Sequence, residues 1–182
     1  MHFTTGILQM KINLALSALA NVFALLNDAN PGKGFSETNV TLAAPEVAAG
    51  NGGRNTSVLL TAIVDAGYSG TATANYTRQE LVAGGAIATA KDVDVAILPS
   101  DTDAVILTKV ATALGLLESE LTIADLIAPT SENNPGTADI VANVDSYLYV
   151  GTYSVTLTIP DEDIPLSEAL AVSDLNGFEA EA

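Results

Sequence analysis

Cysteine and tryptophan are absent from this chain, and its single histidine is His2. Without cysteine there is no thiolate nucleophile, no disulfide and no Cys/His zinc site. The redox compartment stays open. A catalytic base must be held in a fixed geometry, and His2 lies where chains commonly fray. The expectation is a non-enzymatic protein with no catalytic residue, no cofactor and no metal.

Positive charge is also scarce. Six basic residues (Lys11, Lys33, Arg54, Arg78, Lys91 and Lys109) face 22 acidic ones, giving a net charge of −16. Binding to DNA or RNA requires clustered cations that displace counterions from phosphate, and these six are scattered. Direct nucleic-acid partners are therefore not expected, nor are anionic membrane surfaces. The acidity favours solubility at high copy number.

No apolar run is long enough to span a bilayer. Residues 12–26, preceded by Met10-Lys11, have the outline of a secretory signal. However, nine residues precede Met10, no clean cleavage site precedes Pro31, and Asn13, Ser17 and Asn21 interrupt the run at spacing four. The spacing predicts instead an amphipathic helix over 11–26, with Leu16, Leu19, Phe23 and Leu26 on its apolar face. Those four are candidate interface residues.

What the chain does have is aliphatic: 48% of its residues are apolar but only 5% are aromatic. Such a core suits sheets and tight contacts. Short extended segments are expected at 39–47, then a loop at 49–53 that lacks the lysine and hydroxyl of a phosphate cradle. Residues 56–64 read as a strand with both faces covered, followed by a turn and a Thr-rich strand to Thr77. Arg78 ends that hairpin and is expected to pair with a carboxylate. Residues 82–90 are weakly specified.

Residues 93–98 form a further strand. Ser100 to Asp103 open a helix reaching 117, with Gly115 as its cap. A short helix over 123–127, capped by Thr122, follows, then a polar loop at 131–136. Residues 146–159 form the last strand, with Tyr147, Tyr149 and Tyr153 on one face and Gly151 marking a bulge or a close backbone approach. These tyrosines complete the candidate interface. Residues 161–182 hold seven acidic and no basic residues.

Asp92/Asp94 and Asp101/Asp103 allow either a bound divalent cation or helix capping with solvated carboxylates, and capping is the expectation. Three Asn-x-Thr/Ser triplets, at Asn39, Asn55 and Asn75, match the glycosylation acceptor but are read as accidental. The fold class is α+β. It has an antiparallel β-sheet with hairpins, two or three packing helices and extended terminal arms. Residues 1–160 form a single domain and 161–182 an acidic C-terminal arm. The sheet is expected to be built from 56–64, 70–77 and 146–159.

Several runs carry a family resemblance: Leu25-Leu26-Asn27-Asp28-Ala29-Asn30, Pro45, Arg54-Asn55-Thr56-Ser57-Val58, Gly67-Tyr68-Ser69-Gly70 and Asn75-Tyr76-Thr77-Arg78-Gln79-Glu80-Leu81. Leu114-Gly115-Leu116 within 110–126 and Ser146-Tyr147-Leu148-Tyr149-Val150-Gly151 extend it. Together they resemble modules of virion structural proteins of large tailed bacteriophages. The resemblance leaves out the first nine residues and the acidic tail. It implies an α+β virion subunit (capsid decoration or cement, neck or tail) without enzymatic activity or cofactor. Its partners would be other virion proteins and copies of itself. It would reside in the virion, and in the host cytoplasm during assembly. The alternative is a carbohydrate- or host-surface-binding module of a fibre or adhesin, presenting Tyr147, Tyr149 and Tyr153.

Overall fold

The computed structural model describes residues 10–51, 53–82, 86, 94–131 and 133–160. Within them the chain is α+β with mostly β content. Residues 1–9, including His2, and the acidic arm expected at 161–182 lie outside the described residues, as does Asp92.

Helix α1 spans Ala18–Ala29, starting later than the apolar periodicity suggests. Asn13 accepts a hydrogen bond from the Ala15 N–H, and the Ser17 hydroxyl caps the helix by accepting from the Ala20 N–H. Both side chains compete with helical backbone bonding, so the helix begins after them. Asn21, expected on a solvated polar face, is buried instead.

The first sheet is built on β3, Arg54–Ala62. Along one side of it runs β4, Thr71–Tyr76, in continuous antiparallel register from Thr56↔Tyr76 to Thr61↔Thr71. The other side is shared by β1, Val40–Leu42, and β2, Glu46–Asn51. Of the segment expected as a loop at 49–53, residues 49–51 are the end of β2, and Asn51 pairs with Arg54. Thr56, Val58 and Leu60 of β3 are buried, but Leu59 is 45% exposed. Only one face of β3 is therefore covered, contrary to expectation. The other is a threonine-rich solvent face on which Thr41, Thr61 and Thr71 lie side by side.

The second sheet has the order β6-β10-β8-β7: Asp94–Ala96, Thr152–Thr158, Gly136–Ala142 and Leu121–Ile127. Residues 121–127 form a strand, not the short helix expected. Leu121 and Ile123 satisfy a period of two, whereas Ile123, Leu126 and Ile127 have the i, i+3, i+4 spacing of a helix, and antiparallel pairing with β8 decides between them. Helix α2, Asp103–Leu114, packs Ile106, Val110, Ala111 and Leu114 into the core. Its N-cap is Thr102, whose hydroxyl accepts from the Val105 N–H, and it ends at Gly115 in the left-handed conformation (φ 69°).

Residues 56–64 and 146–159 thus belong to different sheets. The last segment is broken at Gly151 (φ 91°) into β9, Tyr149–Val150, and β10. β9 pairs in parallel with β5, Gln79–Glu80, forming a two-stranded link between the halves. One core runs through both, from Val22 and Phe23 under α1 to Leu157 and Val110.

Candidate functional site

The approach to α1 is fixed by a pair of asparagines. The carboxamide of Asn21 accepts from the Asn13 N–H at 2.8 Å and donates to the Asn13 carbonyl at 3.0 Å. It thereby pairs with the chain as a neighbouring strand would. Residues 10–12 are held at the rim of a groove of about 670 Å³.

One wall of that groove is α1, through Val22, Leu25 and Leu26. The opposite wall is β4 and its continuation, residues 74–77. By register Ala74 and Tyr76 lie on the inner face of the strand and Asn75 on the outer. Lining from both faces means that the groove follows the strand's edge. Tyr147 and Leu148 contribute to the lining, and Lys11, Arg54 and Asp28 supply charge. Neither cation makes an ion pair among the described residues, where the only one is Lys109–Asp101.

The edge itself is unusual. Sheet edges are normally blunted by charge, proline, bulges or brevity, because unpaired N–H and C=O groups recruit foreign strands. β1 and β6 are three residues long, and β6 contains Asp94. β2 carries Glu46 and a register shift. β7 has a register shift beside Asp125, whose φ is 46°. β4 has none of these devices. Its six residues pair only with β3 among the named strands, and no charged residue occurs from 66 to 77.

Behind the groove a buried polar network joins the halves. The Asn55 carboxamide accepts from the Arg78 N–H at 2.8 Å and donates to its carbonyl at 2.9 Å. The Arg78 guanidinium donates to the Thr56 hydroxyl (2.9 Å) and the Ser146 carbonyl (2.8 Å). The Ser146 hydroxyl in turn donates to Glu120, which also accepts from the Tyr147 N–H. The carboxylate expected beside Arg78 is therefore one residue away, because Arg78 meets a hydroxyl and a carbonyl directly. No buried side-chain polar atom among the described residues lacks a partner.

The three candidate interface tyrosines go to different places. Tyr149 is fully buried, and its hydroxyl accepts from the Leu117 N–H at 3.1 Å. Tyr147 is half-buried and donates to the Ala43 carbonyl at 3.1 Å. Tyr153 is half-buried against the core. They form no exposed aromatic cluster, so the carbohydrate-binding alternative loses its platform. Burial raises the phenol pKa of Tyr147 and of Tyr149, with Glu120 adding to both. Burial likewise raises that of Tyr76, which donates to the Tyr147 carbonyl at 2.9 Å. Of the helical candidates, Phe23 is buried, Leu19 and Leu26 are half-buried against the core, and Leu16 is 38% exposed. The groove thus unites Leu26 and Tyr147 but none of the other five.

Sequence reasoning missed Asn21, Asn55, Thr56, Glu120 and Ser146, and the uncharged edge of β4. For the edge a signal existed in the uncharged run 66–77. Among the described residues no group of three His, Asp or Glu side chains could hold a metal. Asp101 instead accepts from the Lys109 ammonium and the Leu98 N–H, which together hold its carboxyl below the usual range.

No protein of curated function and no solved structure matches the chain. A family model does match, over residues 12–181, and by that match the chain belongs to a family of unknown function, DUF7941.

Proposed function

We propose that this chain is a non-enzymatic structural subunit, present in many copies in a tailed-bacteriophage particle, that works by protein–protein assembly. The observation that carries the reading is the straight, uncharged edge of β4 beside an apolar groove. Strand addition uses main-chain hydrogen bonds for affinity and adjacent pockets for specificity. In a chain of net charge −16, long-range repulsion opposes contact between copies. An uncharged edge is where a neighbour can approach. The short motifs that resemble those of phage virion proteins support the particle as the setting.

Mass spectrometry of purified particles from a culture producing the chain tests this. The chain should be recovered with the particles in multiple copies per particle. The Thr73→Lys variant, which places a charge on β4's exposed stretch, should be depleted from them at least tenfold. Wild-type chain found only in the particle-free fraction would overturn the proposal.

A further inference from the structure

We propose that the groove between α1 and β4 binds a small amphipathic carboxylate, a fatty-acid-like molecule whose acid group meets Arg54 and whose hydrocarbon chain lies along α1. The proposal goes beyond assembly and does not rest on it.

Charge singles out the groove. Of the six basic residues all but Lys91 are described, and two of those five, Lys11 and Arg54, line it. Asp28 lines it too, but pairs with neither cation. Two cations against one carboxylate leave the lining net positive in a chain of net charge −16. Such a local reversal draws an anion to this place on an otherwise acidic molecule.

Strand β3 aims Arg54 inward. Side chains alternate along a strand, so Arg54 shares a face with Thr56, Val58 and Leu60, all of them buried. Arg54 itself is half-buried. Its neighbour Arg78 is already engaged, donating to the Thr56 hydroxyl and the Ser146 carbonyl. Arg54 has no ion-pair partner among the described residues. A guanidinium is a planar fork that holds a carboxylate through two parallel hydrogen bonds. Arg54 can offer that fork to an acid from outside the chain.

Size and lining define the rest of the ligand. The groove's volume of about 670 Å³ falls within the range of small-molecule sites, about 300–1,000 Å³. Such sites are mostly apolar with a few placed polar groups. Val22, Leu25 and Leu26 of α1, with Leu148 opposite, supply the apolar surface for a hydrocarbon chain. A stable protein partner buries about 800 Å² on each side, which calls for a broad face and not a groove of this volume.

Isothermal titration calorimetry on the full chain tests the proposal. Dodecanoate is the probe, and dodecyltrimethylammonium carries the same hydrocarbon with the opposite charge. Both are kept below their micelle concentrations. Adsorption to an acidic surface favours the ammonium, so the comparison separates the groove from the rest of the molecule. One dodecanoate should bind per chain, at least tenfold more tightly than the ammonium. Arg54→Gln should weaken dodecanoate binding at least tenfold. Lys33→Gln, outside the groove lining, should leave it unchanged, and far-ultraviolet circular dichroism confirms that both variants fold. In the wild-type chain dodecanoate should shift the amide resonances of Val22, Leu25 and Leu26 and spare those of Leu121 and Ile123 in β7. Any one of four results would overturn the proposal: no saturable dodecanoate binding, tighter binding of the ammonium, equal affinity in a folded Arg54→Gln variant, or amide shifts centred away from α1. Three of the four need only the wild-type chain.

Discussion

Arg78 and Glu120 are both buried, yet their charges do not touch: Ser146 stands between them, its carbonyl taking the guanidinium and its hydroxyl serving the carboxylate. The arrangement ties the end of the β3–β4 hairpin to the turn before β9 and to the 3-10 turn Glu118–Glu120. Ser146→Ala keeps the carbonyl but removes the hydroxyl that bonds Glu120 and accepts from the Tyr149 N–H at 3.0 Å. Hydrogen bonds to a charged group are worth about 1.5–3 kcal/mol. Urea unfolding should show a loss of that size, about 2 kcal/mol. A loss under about 0.5 kcal/mol would mean that the network does not hold the halves together.

Gly136 offers a contrast between space and backbone conformation. A Cβ there would stand 2.0 Å from the Ile127 carbonyl oxygen and 2.5 Å from the Pro129 nitrogen, both backbone atoms. Gly136→Ala should therefore destabilise by about 3 kcal/mol or more, as overpacking against an unyielding main chain does. Gly70 has a φ of 79° and nothing within 4 Å of its would-be Cβ. Gly70→Ala should cost only the left-handed penalty of about 1–2 kcal/mol. Thermal or urea denaturation of the two variants checks the ranking, and equal losses would contradict it.

Alkaline pH should unfold the protein through its tyrosines. Burial raises the Tyr76 pKa above its ordinary value of 10.0, and the Tyr147 and Tyr149 phenols shift the same way. A folded-state pKa above the unfolded one means that stability is fully present below about pH 10 and is lost as pH rises beyond it. The slope for Tyr76 alone is at most about 1.4 kcal/mol per pH unit. Tyr76→Phe should flatten the stability profile above pH 10 while changing it little in shape below. An unchanged alkaline slope would show that Tyr76 ionises without unfolding.

Much of this fold was legible because the signals are local. Thr102, Asp103 and Gly115 mark the ends of α2 by capping chemistry that needs no tertiary partner. The β3–β4 hairpin shows in its alternation and in the turn before Gly70. Residues 121–127 carry both patterns: Ile123, Leu126 and Ile127 have the i, i+3, i+4 spacing of a helix, Leu121 and Ile123 the period of a strand, and only β8 resolves them. The buried network was invisible for the same reason: Arg78, Glu120 and Ser146 are far apart in sequence, and their meeting depends on two sheets packing. The groove was half visible. Its apolar helical wall followed from periodicity, whereas the uncharged wall opposite requires knowing how β4 pairs with β3.

Asn21 controls how the chain enters the groove. Its carboxamide replaces the two backbone bonds that residue 13 would make to a strand, and it also donates to the Ser17 carbonyl at 3.0 Å. Asn21→Ala removes all three contacts and leaves a buried gap beside Asn13. Each lost hydrogen bond contributes about 0.5–1.5 kcal/mol, so a loss of about 2 kcal/mol is expected. Amide exchange distinguishes this site from a general weakening. The Asn13 N–H should lose its protection far more than the Val58 and Leu60 amides of β3. Equal loss at all three would mean that Asn21 supports the fold as a whole and does not steer residues 10–12.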